Sequence, residues 1–166
     1  MNSGAKTLGV DFGRVINDAS SHPSGDDTVF LGGTEEEMLE TPAMRGSFET
    51  LERLCDIFEG RIWIVSKCGS TVQARTERWL AHRRFFESTG IDAGHVRFCL
   101  RREEKARHCA DLGITHFVDD RADVLKYLLG IVPHLFLFGP QDSPPLDPVV
   151  ATITWDDVER SIVATL

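Results

Sequence analysis

Short apolar runs, separated by stretches of helical period, constrain this chain most, and two of those runs stop on acids. Thr7-Leu8-Gly9-Val10 is followed by Asp11, and His116-Phe117-Val118 by the pair Asp119-Asp120. Such runs are too short and too apolar for a surface helix and read as buried strands. Residues 7–10, 61–66, 95–100, 115–118 and 132–138 predict five strands. Between them, Phe48, Leu51, Leu54, Cys55 and Phe58 recur at helical spacing, with Gly60 as a natural stop. Helices are likewise predicted over 72–86, 103–112, 122–129 and 155–164, with Thr154 as the cap of the last. Strands alternating with helices predict a Rossmann-like three-layer α/β/α fold around a mostly parallel five-stranded sheet.

In a parallel sheet the strands end on one edge, and open α/β sheets bind ligands beyond those ends. Asp11, Asp119 and Asp120 would then crowd together. Two unit charges ~4 Å apart repel by ~4 kcal/mol at an effective dielectric of ~20. Such a cluster needs a proton or a cation, and a hard divalent ion, Mg²⁺, suits carboxylate oxygens.

The length of 166 residues fits a single domain spanning 1–166. A chain of this size buries roughly 70% of its unfolded surface, enough for a real core. The net charge of −8 argues against general nucleic-acid binding. Positive charge is nonetheless concentrated over residues 75–107, either as solvated helix faces or as a rim for an anionic substrate. Cys55, Cys68, Cys99 and Cys109 are scattered and read as buried, reduced thiols. The sequence opens without a secretory leader, and no apolar run approaches the ~20 residues of a spanning helix. These features predict a cytoplasmic protein with no membrane partner.

Residues 17–41 break the pattern. Ser20-Ser21-His22-Pro23-Ser24-Gly25 and Gly32-Gly33 are loop signals, and Val29-Phe30-Leu31 reads as a hairpin strand or a lid contact. Glu35-Glu36-Glu37 reads as the exposed start of a short helix. Long ordered loops are uncommon unless functional, so residues 17–45 are taken as a small insert or flap after the first strand.

Four positions recur at or just after strand ends, in order: Asp11, Ser66, Lys105 and Asp119-Asp120. This set resembles the haloacid dehalogenase superfamily. Its first motif is matched by Val10-Asp11-Phe12-Gly13-Arg14-Val15-Ile16, and its second by Ile62-Trp63-Ile64-Val65-Ser66. Its third is matched by Lys105, and its fourth by Phe117-Val118-Asp119-Asp120. The resemblance covers roughly residues 8–138.

The resemblance implies that Asp11 is a nucleophile forming an aspartyl-phosphate. It implies that Asp11, the Gly13 carbonyl and Asp120, with Asp119 near, hold Mg²⁺. Ser66, Lys67 and Lys105 would contact the phosphoryl group, and Lys105 would also steady Asp11. Asp123 either reaches the metal through water or serves as a first-turn acid. The partner would be a phosphorylated substrate, with a protein partner possible as a lid over a nearly capless site.

The chain departs from the family at Gly13. Phosphatases of this kind carry there a second Asp that protonates the leaving group and activates water. Acid–base catalysis is worth ~10²–10⁴-fold. Three outcomes follow. His22 or Asp18 replaces the acid, the leaving group is an acyl or aryl phosphate that needs none, or the protein is a metal- or phosphate-binding module without turnover. A receiver domain is disfavoured, because receivers place the acidic pair first and the lysine last. A dinucleotide-binding fold is disfavoured because Gly9-Val10-Asp11-Phe12-Gly13 lacks the glycine-rich turn.

Overall fold

The computed structural model describes residues 4–22 and 28–166. The loop signal Pro23-Ser24-Gly25 therefore lies outside the described residues. Six strands form one parallel sheet: β1 (Leu8–Val10), β2 (Ile62–Lys67), β3 (Val96–Cys99), β4 (His116–Asp119), β5 (His134–Phe138) and β6 (Val150–Thr152). Their spatial order is β3-β2-β1-β4-β5-β6. The chain thus winds outward from β1 in one direction, returns, and winds outward in the other. The crevice between the ends of β1 and β4 is the topological switch point, where such sheets bind ligands.

Side chains on successive strand residues alternate between two cores. Leu8, Val10, Ile62, Ile64, Val118 and Phe136 face one layer. That layer is built from α3 (Ser47–Ile57), α4 (Ser70–His82), α5 (Phe85–Thr89) and α8 (Trp155–Val163). Val65, Phe117, Leu135 and Leu137 face the other layer, against α6 (Glu104–Leu112) and α7 (Ala122–Leu128). Gly9 belongs to this second face, where a Cβ would lie 2.5 Å from the Phe117 ring and 2.9 Å from Ile114. Only glycine lets that ring lie across β1.

The sheet has six strands where the sequence predicts five. β6 extends the edge through Phe136↔Val150 pairing, and two of its three residues are exposed. It has no buried apolar run to mark it. The helix predicted over 72–86 is two helices, because Arg84 adopts φ 53° and redirects the chain between α4 and α5. Thr154 does cap α8, in a reciprocal bond with Asp157.

The insert is closed at its neck. Asn17 bridges Ala43, Asp18 N–H donates to Pro42 O at 2.8 Å, and Met44 N–H donates to Ile16 O at 2.7 Å. Val29-Phe30-Leu31 lies in a short helix, α1 (Thr28–Gly32), rather than a hairpin strand. Phe30 packs on Phe12, with ring centroids 5.7 Å apart. Glu35-Glu36-Glu37 opens α2 (Glu35–Leu39), which Thr34 and Glu37 cap reciprocally. Arginines of the 75–107 stretch hold this insert down. Arg75 donates to the carbonyls of Phe30 and Gly33, Arg78 pairs with Glu35, and Arg83 donates to Leu39 and Thr41. Among the described residues, no helix is long and apolar enough to cross a membrane.

Candidate active site

Register brings the acids together. Val10 pairs with Val118, and Asp11 N–H donates to Val118 O at 2.9 Å, so Asp11 and Asp119 leave adjacent strands at one level. Lys105, in the first turn of α6, rises between them. Its Nζ lies 2.9 Å from Asp11 Oδ1 and 2.8 Å from Asp119 Oδ2, with the lysine side chain only 2% exposed. Asp11, Asp119 and Asp120 offer carboxylate oxygens within 4.8 Å of one another.

One ammonium does not balance three carboxylates. Burial pushes the Asp119 carboxyl up and the Asp11 charge adds to this; Lys105 offsets part, leaving it at about 6. Burial and the charges of Asp11 and Asp119 push Asp120 up to about 8. Burial alone would pull the Lys105 ammonium down, but the Asp11 and Asp119 charges outweigh it and hold it above its ordinary range. The cluster therefore retains protons unless a cation replaces them. Its donors are oxygens, which fit a hard divalent ion. Asp11 Oδ2 and the Asp120 carboxylate take no part in the Lys105 bonds. Asp119 is fully buried, committed to Lys105 and to the Arg121 N–H at 3.0 Å.

Ser66 sits near the end of β2 and is buried, and Lys67 beside it is exposed. Cys68 hydrogen-bonds the Ser66 side chain; burial raises this thiol, and that bond offsets part of the rise. Burial lifts Cys99 to about 11 and Cys109 to about 12. All four cysteines are free; Cys68 is half-buried where the sequence reading made each thiol buried.

Gly13 follows Phe12, whose ring packs edge-on against Trp79 at 5.3 Å. A Cβ at Gly13 would meet nothing within 4 Å, and its backbone lies outside the left-handed region. An aspartate would fit there. The two stand-ins for the missing acid are engaged within the insert. His22 is buried with Nε2 2.6 Å from Glu37 O, and Asp18 accepts from Ser20 Oγ at 2.7 Å. Asp123 pairs with Arg102 and, at 3.2 Å, with Arg121.

Sequence reasoning missed Gln141, whose Nε2 donates to Asp120 O at 2.9 Å and Phe138 O at 3.2 Å. It ties the turn after β5 to the acid pair. The turn-rich run around it carries no pattern that singles this residue out. Two cavities, about 430 and 560 Å³, lie elsewhere, among residues of α3, α5 and α8, and neither is lined by the acid cluster.

No protein-family model matches the chain, and no curated protein sequence matches it. Solved structures do. A haloacid dehalogenase-like family hydrolase from Xanthomonas campestris superposes with a TM-score of 0.63 at 8% identity, covering 96% of this chain and 95% of that one. A haloacid dehalogenase-like hydrolase from Burkholderia xenovorans gives 0.58 at 15% identity, covering 95% and 96%. With the acids and lysine at the switch point of the same sheet, the chain has the haloacid dehalogenase-like fold.

Proposed function

We propose that this protein is a Mg²⁺-dependent phosphohydrolase that works through an aspartyl-phosphate on Asp11. The observation that carries the reading is the buried Lys105 ammonium spanning Asp11 and Asp119 beside Asp120. Asp11 and Asp120, with the Gly13 carbonyl, would hold the metal. When bound, Mg²⁺ supplies positive charge against the phosphoryl oxygens and the attacking carboxylate.

The chain's own residues do the rest. Lys105 fixes the Asp11 carboxylate and holds its charge low enough for an anionic phosphoryl group to approach. Asp119 positions Lys105. The Ser66 hydroxyl and the Lys67 ammonium bind phosphoryl oxygens. An Asp11 oxygen bonds to phosphorus as the bond to the leaving-group oxygen breaks. With Gly13 in place of an acid, the leaving group takes its proton from solvent. Water then attacks the phosphorus, releases phosphate and restores Asp11. Aryl and acyl phosphates, whose leaving groups are stable as anions, are the favoured substrates. The four free thiols fit a reducing compartment such as the cytoplasm.

Gly13 favours a second reading, a fold that binds metal and phosphate without efficient turnover. A phosphate-release assay with Mg²⁺ over aryl phosphates, acyl phosphates, nucleotides and sugar phosphates separates the two. Release that vanishes in Asp11→Asn supports the hydrolase. Silence across the panel, with Mg²⁺ bound and Gly13→Asp equally silent, supports the binding module.

A further inference from the structure

The three acids of the site are not held alike. Lys105 Nζ binds the carboxylates of Asp11 and Asp119, and Asp119 Oδ1 also accepts from the Arg121 N–H at 3.0 Å. Among the described residues, no lysine or arginine pairs with Asp120. Asp120 also stands one residue past β4, whose last member, Asp119, pairs with Leu137. Its direction therefore depends on how its main chain is held beyond the sheet.

Gln141 holds it. Its Nε2 donates to Asp120 O at 2.9 Å and to Phe138 O at 3.2 Å, so one side-chain amide staples the loop after β4 to the end of β5. Two carbonyls facing one nitrogen call for an N–H₂ group; a carboxylate of the same length would have nothing to donate. The staple has a firm footing. Gly139 takes φ 84°, which turns the chain after β5, and its N–H donates to Thr152 O on β6 at 2.8 Å. Phe138 is buried against Trp155, with ring centroids 5.8 Å apart. Gln141 itself is exposed and adds nothing to that core. An exposed amide bonded to two main-chain carbonyls beside the acid cluster serves position rather than packing.

We propose that Gln141 is a positioning residue for the metal site. By fixing the Asp120 carbonyl it fixes the direction of the Asp120 carboxylate, and so favours Mg²⁺ over the larger Ca²⁺. Mg²⁺ demands a near-regular octahedron of oxygens, whereas Ca²⁺ accepts irregular shells. Loosening one ligand thus penalises Mg²⁺ more. Groups that orient a metal's ligands commonly set its affinity by ~10–100-fold. This inference rests on the reading of Asp11 and Asp120 as Mg²⁺ ligands.

The test is calorimetric titration of the full chain with MgCl₂ and, separately, CaCl₂ at one fixed pH, without substrate. Gln141→Met keeps the length and loses the donor. It should weaken Mg²⁺ binding ~10-fold and Ca²⁺ binding ~2-fold or less, so the ratio of the two Kd values shifts by ~5-fold or more. Gln141→Lys keeps a donor and should hold the wild-type ratio to within ~2-fold. The metal-free Tm of both variants should stay within ~4 °C of wild type, as for an exposed side chain. A ratio unchanged in Gln141→Met, or shifted equally in Gln141→Lys, overturns the inference and leaves the metal reading intact. A larger fall in Tm with equal weakening of both ions makes Gln141 a brace of the fold and also overturns it. Failure of the wild type to bind either ion overturns the metal reading and this inference with it.

Discussion

Removing the Lys105 ammonium would leave Asp11 and Asp119 facing each other, largely out of water, with no counter-charge. Breaking such a buried pair typically costs ~3–5 kcal/mol. Lys105→Met should lose stability on that scale in urea unfolding; a loss within ~0.5 kcal/mol would mean the ammonium does not hold the cluster. The acids themselves set a pH dependence. The ordinary aspartate value is 3.8, and the folded values are about 6 for Asp119 and about 8 for Asp120. The native state then binds more protons than the unfolded chain between these values, so their contribution to stability is full below pH ~4 and is lost as pH rises to ~8. Mg²⁺ competes with those protons. Its thermal stabilisation should therefore grow between pH 5.5 and 8, and scanning calorimetry showing a flat or falling increment would contradict the charge balance drawn here. The sequence made Asp11, Lys105 and the acidic pair legible, because each stands at a boundary between periodic segments. It left open how the pair divides its work. Asp119 turns inward to Lys105 because it ends a buried strand, a fact of register that a chain read alone does not display.

At the scale of elements, α4 carries more than its amphipathic face. Its Trp79 packs edge-on against Phe12 and Phe48 while its indole N–H donates to Thr41 O at 2.9 Å. One side chain thereby links the loop after Asp11, α3 and the end of the insert. Trp79→Phe retains an aromatic ring but loses the bond, and should cost ~1–3 kcal/mol in denaturant unfolding, the usual penalty for a weakened buried polar contact. Arg83 holds the same carbonyl and that of Leu39. Arg83→Ala should speed proteolytic cleavage within the insert more than it lowers global stability; equal protection of the insert would show that the arginine clamp is redundant. Helical spacing located α3, α6 and α8 well. It did not foresee that the arginines of α4 and of its C-cap clamp the insert, because partners some forty residues away leave no local signature. Nor did it show β6, whose place depends on pairing with β5 rather than on burial.

For the molecule as a whole, the switch point of a six-stranded parallel sheet assembles acids from β1 and β4 with a lysine from α6, and Gly13 leaves space where an acid–base would stand. Gly13→Asp meets no steric obstacle and should raise turnover of alkyl phosphates by ~10²–10⁴-fold in a Mg²⁺-dependent phosphate-release assay. No gain would place the defect elsewhere in the site. In the proposed reaction Gly13 also bears on the second half, since nothing at position 13 would activate water against a phosphorylated Asp11. The covalent state should therefore persist. The most direct measurement is acid-quenched mass spectrometry of the wild-type protein mixed with an aryl or acyl phosphate and Mg²⁺. The expected result is one phosphoryl group, mapped to Asp11, dependent on Mg²⁺ and absent from Asp11→Asn. An unmodified Asp11 in protein that binds Mg²⁺ and releases no phosphate, or an adduct that survives in Asp11→Asn, would contradict it.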